Sequence, residues 1–425
     1  MGGFPSFVHR HKRKITAIVG VAAASYYAFS YLKSKITEIQ AQLAITRISR
    51  EHLWRRFEQN QQDASFTAAA LLSSLADPIF QELPVEQITH DLQSKRTNST
   101  RPVELTQLLV SDDVSVASNS TLSVIDHSAA DTETTRLTKK ELWNLLKVAS
   151  VARVITLIYC TALLVFFTRL QLNLLGRRSY VEAVQSLGDE GNNLEAFQDH
   201  DAVSTEVNRQ FLTFSWWLLN KGWRNILHSV ESSTKIVLER VTPRTELSLE
   251  DFNSLIHDIR KRIDDNHGNF LADLLPLIES DEKLVLESNT ASVNEFKSSP
   301  EVEAQIKPLL VLLLDEAKDL IESPNASSVM RALIDEGFNL LLSNLQLQYY
   351  YTIEAEHAVD DRISEVADTK TVKLASILAG ITRQSHEIAI SNERTNQYLL
   401  AMNGTPELAA FSAVIYSNFE WKKAV

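Results

Sequence analysis

A chain that almost lacks glycine and proline has few ways to turn sharply, and here 11 Gly and 10 Pro supply 21 of 425 positions, roughly 5%. Globular proteins use these two residues for about 12% of their length. Strands depend on them at their connections, so a sandwich, a barrel or a Rossmann-type sheet is disfavoured and an all-α fold is expected. The length allows one large core or two smaller ones. A single Cys excludes a disulfide framework and every Cys-based zinc or iron-sulfur centre, and it suits a reducing compartment such as the cytosol.

The net charge of −12 conceals an asymmetry. Residues 1–35 carry Arg10, Lys12, Arg13, Lys14, Lys33 and Lys35 and no acid, which leaves 36 basic and 54 acidic side chains, a balance of −18, for the rest. A body this acidic is repelled by phosphate backbones, so nucleic acid is an unfavourable partner.

Between the basic clusters, Ile15 to Leu32 reads ITAIVGVAAASYYAFSYL without a charge. Eighteen helical residues reach about 27 Å, close to the apolar thickness of a bilayer. Tyr26, Tyr27 and Tyr31 gather at one end, where aromatic rings favour the membrane interface. A cleavable signal would have a shorter apolar core and a small-residue cleavage site, whereas the helical pattern here runs on past Leu32. The expected organisation is therefore a basic segment at 1–14, a transmembrane anchor at 15–32 and a helical domain at 33–425. Flanking charges on both sides leave the orientation open.

In the body, Ile36, Ile39, Leu43, Ile48, Leu53, Trp54 and Phe57 recur at helical spacing, with Pro78 near the end of that pattern. Residues 110–136 are rich in Ser, Thr, Asp and Ala and lack any period, so a flexible loop is expected there. Residues 186–206 read as a second, acidic break, and 242–248 and 287–301 as two more. From Val154 to Thr168 no residue is charged, and Arg153 and Arg169 bracket a stretch too short to cross a membrane comfortably. The reading is a long central hydrophobic helix buried in an elongated bundle, with Cys160 as a packing residue. Ser248, followed by Asp251, marks a helix start.

Catalytic and metal motifs are missing from the sequence. There is no G-x-S-x-G elbow, no phosphate-binding Gly-rich loop and no H-E-x-x-H, since His386-Glu387 is followed by Ile390 where the second ligand belongs. The eleven His are scattered singly and read as solvated, as do the acid pairs Asp112-Asp113, Asp264-Asp265 and Asp360-Asp361. N-x-S/T sequons at Asn98, Asn119, Asn325 and Asn403 matter only for a lumenal body. No enzyme, cofactor or metal is expected, and a membrane-anchored binding or scaffold protein is.

One set of strings is more specific. KKELWNLLK at Lys139–Lys147 opens a helix that runs through the apolar core to RLQLNLLG at Arg169–Gly176, an R-x-Q-L-N-x-x-G exit. These, with the basic cluster and anchor, REHLWRRFEQNQ, LSLEDF and ELAAFSAVIYSNF in the same order, resemble the peroxisomal biogenesis factor 3 family (peroxin-3) of fungal type. The resemblance implies a single-pass protein of the peroxisomal membrane whose helical body faces the cytosol. It would be the docking receptor for the chaperone that delivers peroxisomal membrane proteins, peroxisomal biogenesis factor 19. Peroxisomal membrane lipid would be its other partner, with no small-molecule substrate and no reaction. In the family the chaperone's N-terminal amphipathic helix lies in an apolar groove at the membrane-distal end of the receptor.

The family's groove tryptophan falls on Trp143, a basic residue on Lys139, and a leucine on Leu146. Leu109, in LTQLL, falls on the stretch just before that helix. Arg10, Lys12, Arg13 and Lys14 match the peroxisomal targeting cluster. On a helix, Lys139, Leu142, Trp143 and Leu146 occupy i, i+3, i+4 and i+7, one stripe with a basic head. On its own that stripe reads as core or as a helix-in-groove anchor, and the resemblance selects the anchor. The alternative reading of the chain is a membrane-anchored tether or adaptor for organelle inheritance or turnover.

Overall fold

The computed structural model describes residues 47–99, 138–188, 194–268, 270–290, 300–350 and 370–417. The basic segment, the anchor expected at 15–32, Leu109 and the loop expected at 110–136 lie outside them. The chain runs through α1 (Arg47–Glu82), α2 (Val85–Ser99), α3 (Lys139–Gly188), α4 (Leu194–Thr213) and α5 (Trp223–Val237). It continues through α6 (Leu249–His267), α7 (Leu271–Leu274), α8 (Glu279–Thr290), α9 (Pro300–Glu322) and α10 (Pro324–Leu345), then α11 (Leu374–Ile388), α12 (Gln397–Asn403) and α13 (Pro406–Ser417). The only strands among the described residues are β1 (Glu246–Leu247) and β2 (Val372–Lys373), a two-residue antiparallel pair. The fold is all-α, as the scarcity of turn-forming residues implied.

Its centre is α3. This helix has 50 residues, about 75 Å at 1.5 Å per residue. From Ala149 to Gln171 every position is buried. By length and composition α3 could cross a membrane, but 94% of its apolar window is covered by the protein's own side chains. Helices α1, α2, α5, α10, α11 and α13 all pack on it. Each large apolar side chain buried this way contributes about 1.5–3 kcal/mol. Cys160 lies in the same buried stretch as a small packing residue, with its thiol pKa pushed up by burial.

The expectation that Arg153 and Arg169 merely bracket an apolar stretch is corrected: both guanidiniums are buried inside the helix bundle. Arg153 donates from Nη1 and Nη2 to Glu86 at 2.7 Å each, and its guanidinium lies 4.6 Å over the Phe80 ring. His386 Nε2 reaches the same carboxylate at 3.0 Å, so α1, α2, α3 and α11 meet there. Arg169 has no carboxylate within bonding distance among the described residues. It bonds instead to Gln61, to Ser65 Oγ at 3.3 Å and to Asn403 Oδ1 at 2.8 Å. Burial pulls its pKa down to about 10.

The R-x-Q-L-N-x-x-G exit is explained by the same packing. Gln171 donates to the Phe211 carbonyl at 2.8 Å, and Asn173 Oδ1 accepts from Gln61 at 2.7 Å. At Gly176 a β-carbon would run into the side-chain ends of Asn60 and Tyr416, which bond to each other there. The motif is thus the joint between α3, α1, α4 and α13.

Three further expectations change. Residues 186–206 are largely helical, since α3 runs to Gly188 and α4 starts at Leu194. His267 is not a solvated single: it bonds Asp273 at 2.9 Å and stacks on Phe270, a residue held at positive φ. Asp264 accepts from Tyr159 at 3.2 Å.

The Arg153 contact makes Glu86 titrate low. Arg153, and secondarily its own backbone and His386, hold the carboxyl down from 4.5 to about 2. A depressed carboxylate pKa stabilises the native state above 4.5, and that contribution vanishes as pH falls toward 2. Urea unfolding of the wild type should therefore lose stability through this window more steeply than Glu86→Gln. At neutral pH, Glu86→Ala removes the carboxylate from a buried guanidinium and should cost about 1–2 kcal/mol, less than for a fully buried pair because Glu86 is half exposed.

Candidate partner-binding site

Helix α3 begins at Lys139 because Thr138 caps it. The Glu141 backbone N–H donates to Thr138 Oγ1 at 3.3 Å, and the Thr138 N–H donates back to Glu141 Oε2 at 2.6 Å. This reciprocal pair satisfies two otherwise orphaned donors. The T-K-K-E string that forms it was readable in the sequence, and it lowers the Glu141 pKa through the Thr138 contacts.

The first two turns then sort their side chains. Leu142 and Leu146 are buried and belong to the core, Trp143 is half-buried and packs against that core, and Lys139 is exposed. The four residues share one helical stripe, with the leucines beneath and the tryptophan and lysine toward solvent. Leu109 is outside the described residues, as are Arg10, Lys12, Arg13 and Lys14.

Sequence reading missed Lys147 here. Of the apolar residues on these elements, Leu145, off the stripe, is 44% exposed, and Ile236, near the end of α5, is 55% exposed. The ammonium of Lys147 is buried and donates to the carbonyls of Leu238 at 2.6 Å and Val241 at 2.7 Å. These carbonyls lie just beyond the C-terminal end of α5, where the helix dipole favours a cation. Burial lowers the Lys147 pKa. One turn before Lys147 on the same face stands Trp143. A local signal for Lys147 existed, a charge in an apolar run, but its acceptors lie ninety residues on and could not be inferred.

The start of α3 is therefore rigid: it is capped at Thr138, seated by Leu142 and Leu146, and clamped to α5 by Lys147. On that base Trp143 offers an aromatic edge, with Lys139 and Lys140 exposed at the helix start. Cations at a helix N-terminus oppose its dipole, so these lysines do not serve helix stability. The chemistry available is binding of an apolar surface with a basic rim.

The Peroxin-3 family model matches residues 6–418. The peroxisomal biogenesis factor 3 of Yarrowia lipolytica is 38% identical, over 98% of this chain and 99% of that protein. That of Debaryomyces hansenii is 31% identical over 98% of each, and that of Mus musculus 23% identical over 97% and 96%.

Lys147→Met keeps the buried stem and removes both charged hydrogen bonds, so it should cost about 2 kcal/mol in urea unfolding. Amide exchange of residues 234–241 should quicken in that variant, because their carbonyls lose the clamp.

Proposed function

The chain belongs to the Peroxin-3 family and so acts in peroxisome biogenesis; from that premise we propose that it is the peroxisomal membrane's docking receptor for peroxisomal biogenesis factor 19, the chaperone that delivers membrane proteins. In this reading an amphipathic helix at the chaperone's N-terminus lays its apolar face on Trp143. Leu142 and Leu146 support the indole from below, Leu109 adds to the groove, and Lys139 forms its basic rim. The chain is anchored by residues 15–32, targeted through Arg10, Lys12, Arg13 and Lys14, and holds its body in the cytosol.

The observation that carries the reading is the half-exposed Trp143 at one end of a buried spine whose other end packs against the first half of α1. Asn60 and Gln61, early in α1, bond to Leu172 and Asn173 late in α3. Thirty residues of helix separate Trp143 from Asn173, about 45 Å. The described start of α1 thus lies toward the end of α3 remote from Trp143, which supports a membrane-distal groove in a chain anchored through residues 15–32.

Asn403 supports the cytosolic orientation. It heads an N-G-T sequon, yet its Oδ1 accepts from Arg169 and Ser65, and its Nδ2, the atom a glycan would occupy, is buried. A lumenal body would risk glycosylation at a residue its core requires bare.

The test is titration of the full chain in nanodiscs with a peptide of the chaperone's N-terminal helix. Trp143→Ala should weaken binding by roughly thirtyfold, the about 2 kcal/mol typical of an aromatic anchor, while the melt falls only by the modest amount its core contacts supply and stays cooperative. Wild-type affinity in that variant overturns the groove assignment. In cells, deletion should abolish peroxisomal membranes; retained peroxisomes with altered position or turnover would favour the tether.

A further inference from the structure

Prolines follow a Ser or Thr at four places in the chain, Thr242, Ser299, Ser323 and Thr405. At three of them the proline is the first residue of a helix, α9, α10 or α13, where its missing N–H leaves no bond unmade. Ser323 caps α10 by accepting from the Ala326 N–H at 3.2 Å, and Thr405 is buried. Thr242 differs. Pro243 opens no helix, and Thr242 lies exposed at the head of a turn that the Thr245 N–H closes onto its carbonyl at 3.0 Å. Among the described residues its hydroxyl meets the Thr245 hydroxyl alone, at 2.9 Å, so neither a helix end nor the core draws on it.

The surroundings of this hydroxyl suit a phosphate. Arg240 and Arg244 stand two residues to either side, at most about 7 Å along the chain. Both are exposed, and neither meets a carboxylate among the described residues. The acids of the stretch are Glu239 and Glu246, and Glu246 is engaged by the strand pair, opposite Lys373 and accepting from Thr371 Oγ1 at 3.4 Å. A phosphothreonine brings about −1.5 to −2 charge and three strong acceptors, which guanidiniums bind in forked hydrogen bonds.

The turn is also a junction. Just before it Lys147 holds the Leu238 and Val241 carbonyls, one helical turn from Trp143. Within it the carbonyls of Pro243 and Thr245 accept from Ala375 and Leu374, at the start of α11, at 3.0 and 2.9 Å. Helices α3, α5 and α11 thus meet through one short stretch of backbone.

We propose that Thr242 is a phosphorylation site for a proline-directed protein kinase, and that its phosphate bridges Arg240 and Arg244 and locks this junction. In the transfer the Thr242 hydroxyl oxygen bonds to the γ-phosphorus of ATP, the bond to ADP breaks with its electron pair leaving on ADP, and the hydroxyl proton passes to the kinase's base. The proposal goes beyond docking: it rests on a body open to cytosolic kinases and not on the groove at Trp143.

The experiment incubates the full chain in nanodiscs with ATP and, in parallel, a cyclin-dependent and a mitogen-activated protein kinase. Peptide mass spectrometry should place phosphate on Thr242; Thr242→Val should remove that signal and Thr242→Ser restore it. Amide exchange of residues 241–247, and of Leu374 and Ala375, should then slow roughly tenfold, as for a gained charge-assisted hydrogen bond. Arg240→Gln with Arg244→Gln should lose the slowing, and about 1 M salt should reduce it in the phosphorylated wild type. No phosphate on Thr242 with either kinase overturns the site. Unaltered exchange, or slowing that survives both the arginine substitutions and salt, overturns the lock. A turn that protease cannot reach in intact organelles refutes the cytosolic orientation; one that is reached there yet takes no phosphate in nanodiscs refutes the site alone.

Discussion

A helix that is apolar around its whole circumference cannot be satisfied by one neighbour, and α3 is buried at every position from Ala149 to Gln171. An amphipathic helix needs a partner on one side; this one must be covered on all sides or enter a lipid phase. The surrounding helices α1, α2, α5, α10, α11 and α13 supply that cover. Their own apolar stripes need α3 as much as it needs them, so the layout is one spine with a sheath. The elongated shape of the core follows from the spine's length.

A wholly apolar spine would leave its sheath free to slide, because a methyl group packs nearly as well one turn up or down. Three buried cations on α3 restrict that freedom. Lys147 accepts only a site with unsatisfied carbonyls and finds it past the end of α5. Arg153 requires the carboxylate of Glu86. Arg169 uses the neutral groups of Gln61, Ser65 and Asn403, which removes a second desolvation penalty but leaves its charge less compensated, as its lowered pKa reflects. The desolvation cost of buried charges offsets much of what their contacts contribute, so their directional partners bear more on the placing of the sheath than on its stability. Each cation fixes a different part of the sheath, and together they tie down α1, α2, α5 and α12.

That division also marks what a sequence exposes. Helical periodicity and the lack of Gly and Pro are local properties, so the fold class and the buried central helix could be read directly. The roles of Arg153 and Arg169 could not, because their partners lie up to 234 residues away and a charge beside an apolar run looks like its boundary. Residues 186–206 misled for the opposite reason: Gly, Asn and Asp signal a break, and packing of α4 against α9 outweighs that local preference along most of the segment. In the candidate site, the stripe from Lys139 to Leu146 was legible as a pattern, but whether Trp143 faced core or solvent depends on neighbours such as α5. The resemblance carried the partner role; the pattern alone did not.

The spine also imposes a geometric condition on the proposed function. If a chaperone docks at Trp143 while the chain enters the membrane near the start of α1, the docking point stands about 45 Å of helix away from the entry end. A short anchor helix of the chaperone cannot itself hand cargo to the bilayer from there. The rest of the chaperone must then reach back along the sheath, and a flexible chain spans that distance with several tens of residues, since its mean extension grows only as about 5–6 Å times the square root of length. A rigid spine suits this arrangement better than a flexible one: it keeps the docking point at a fixed height while the tethered cargo searches the surface below. Such rigidity is served by the clamps at Lys147 and Arg153, on the Trp143 side of the spine, and by the close joint at Gly176 toward its other end.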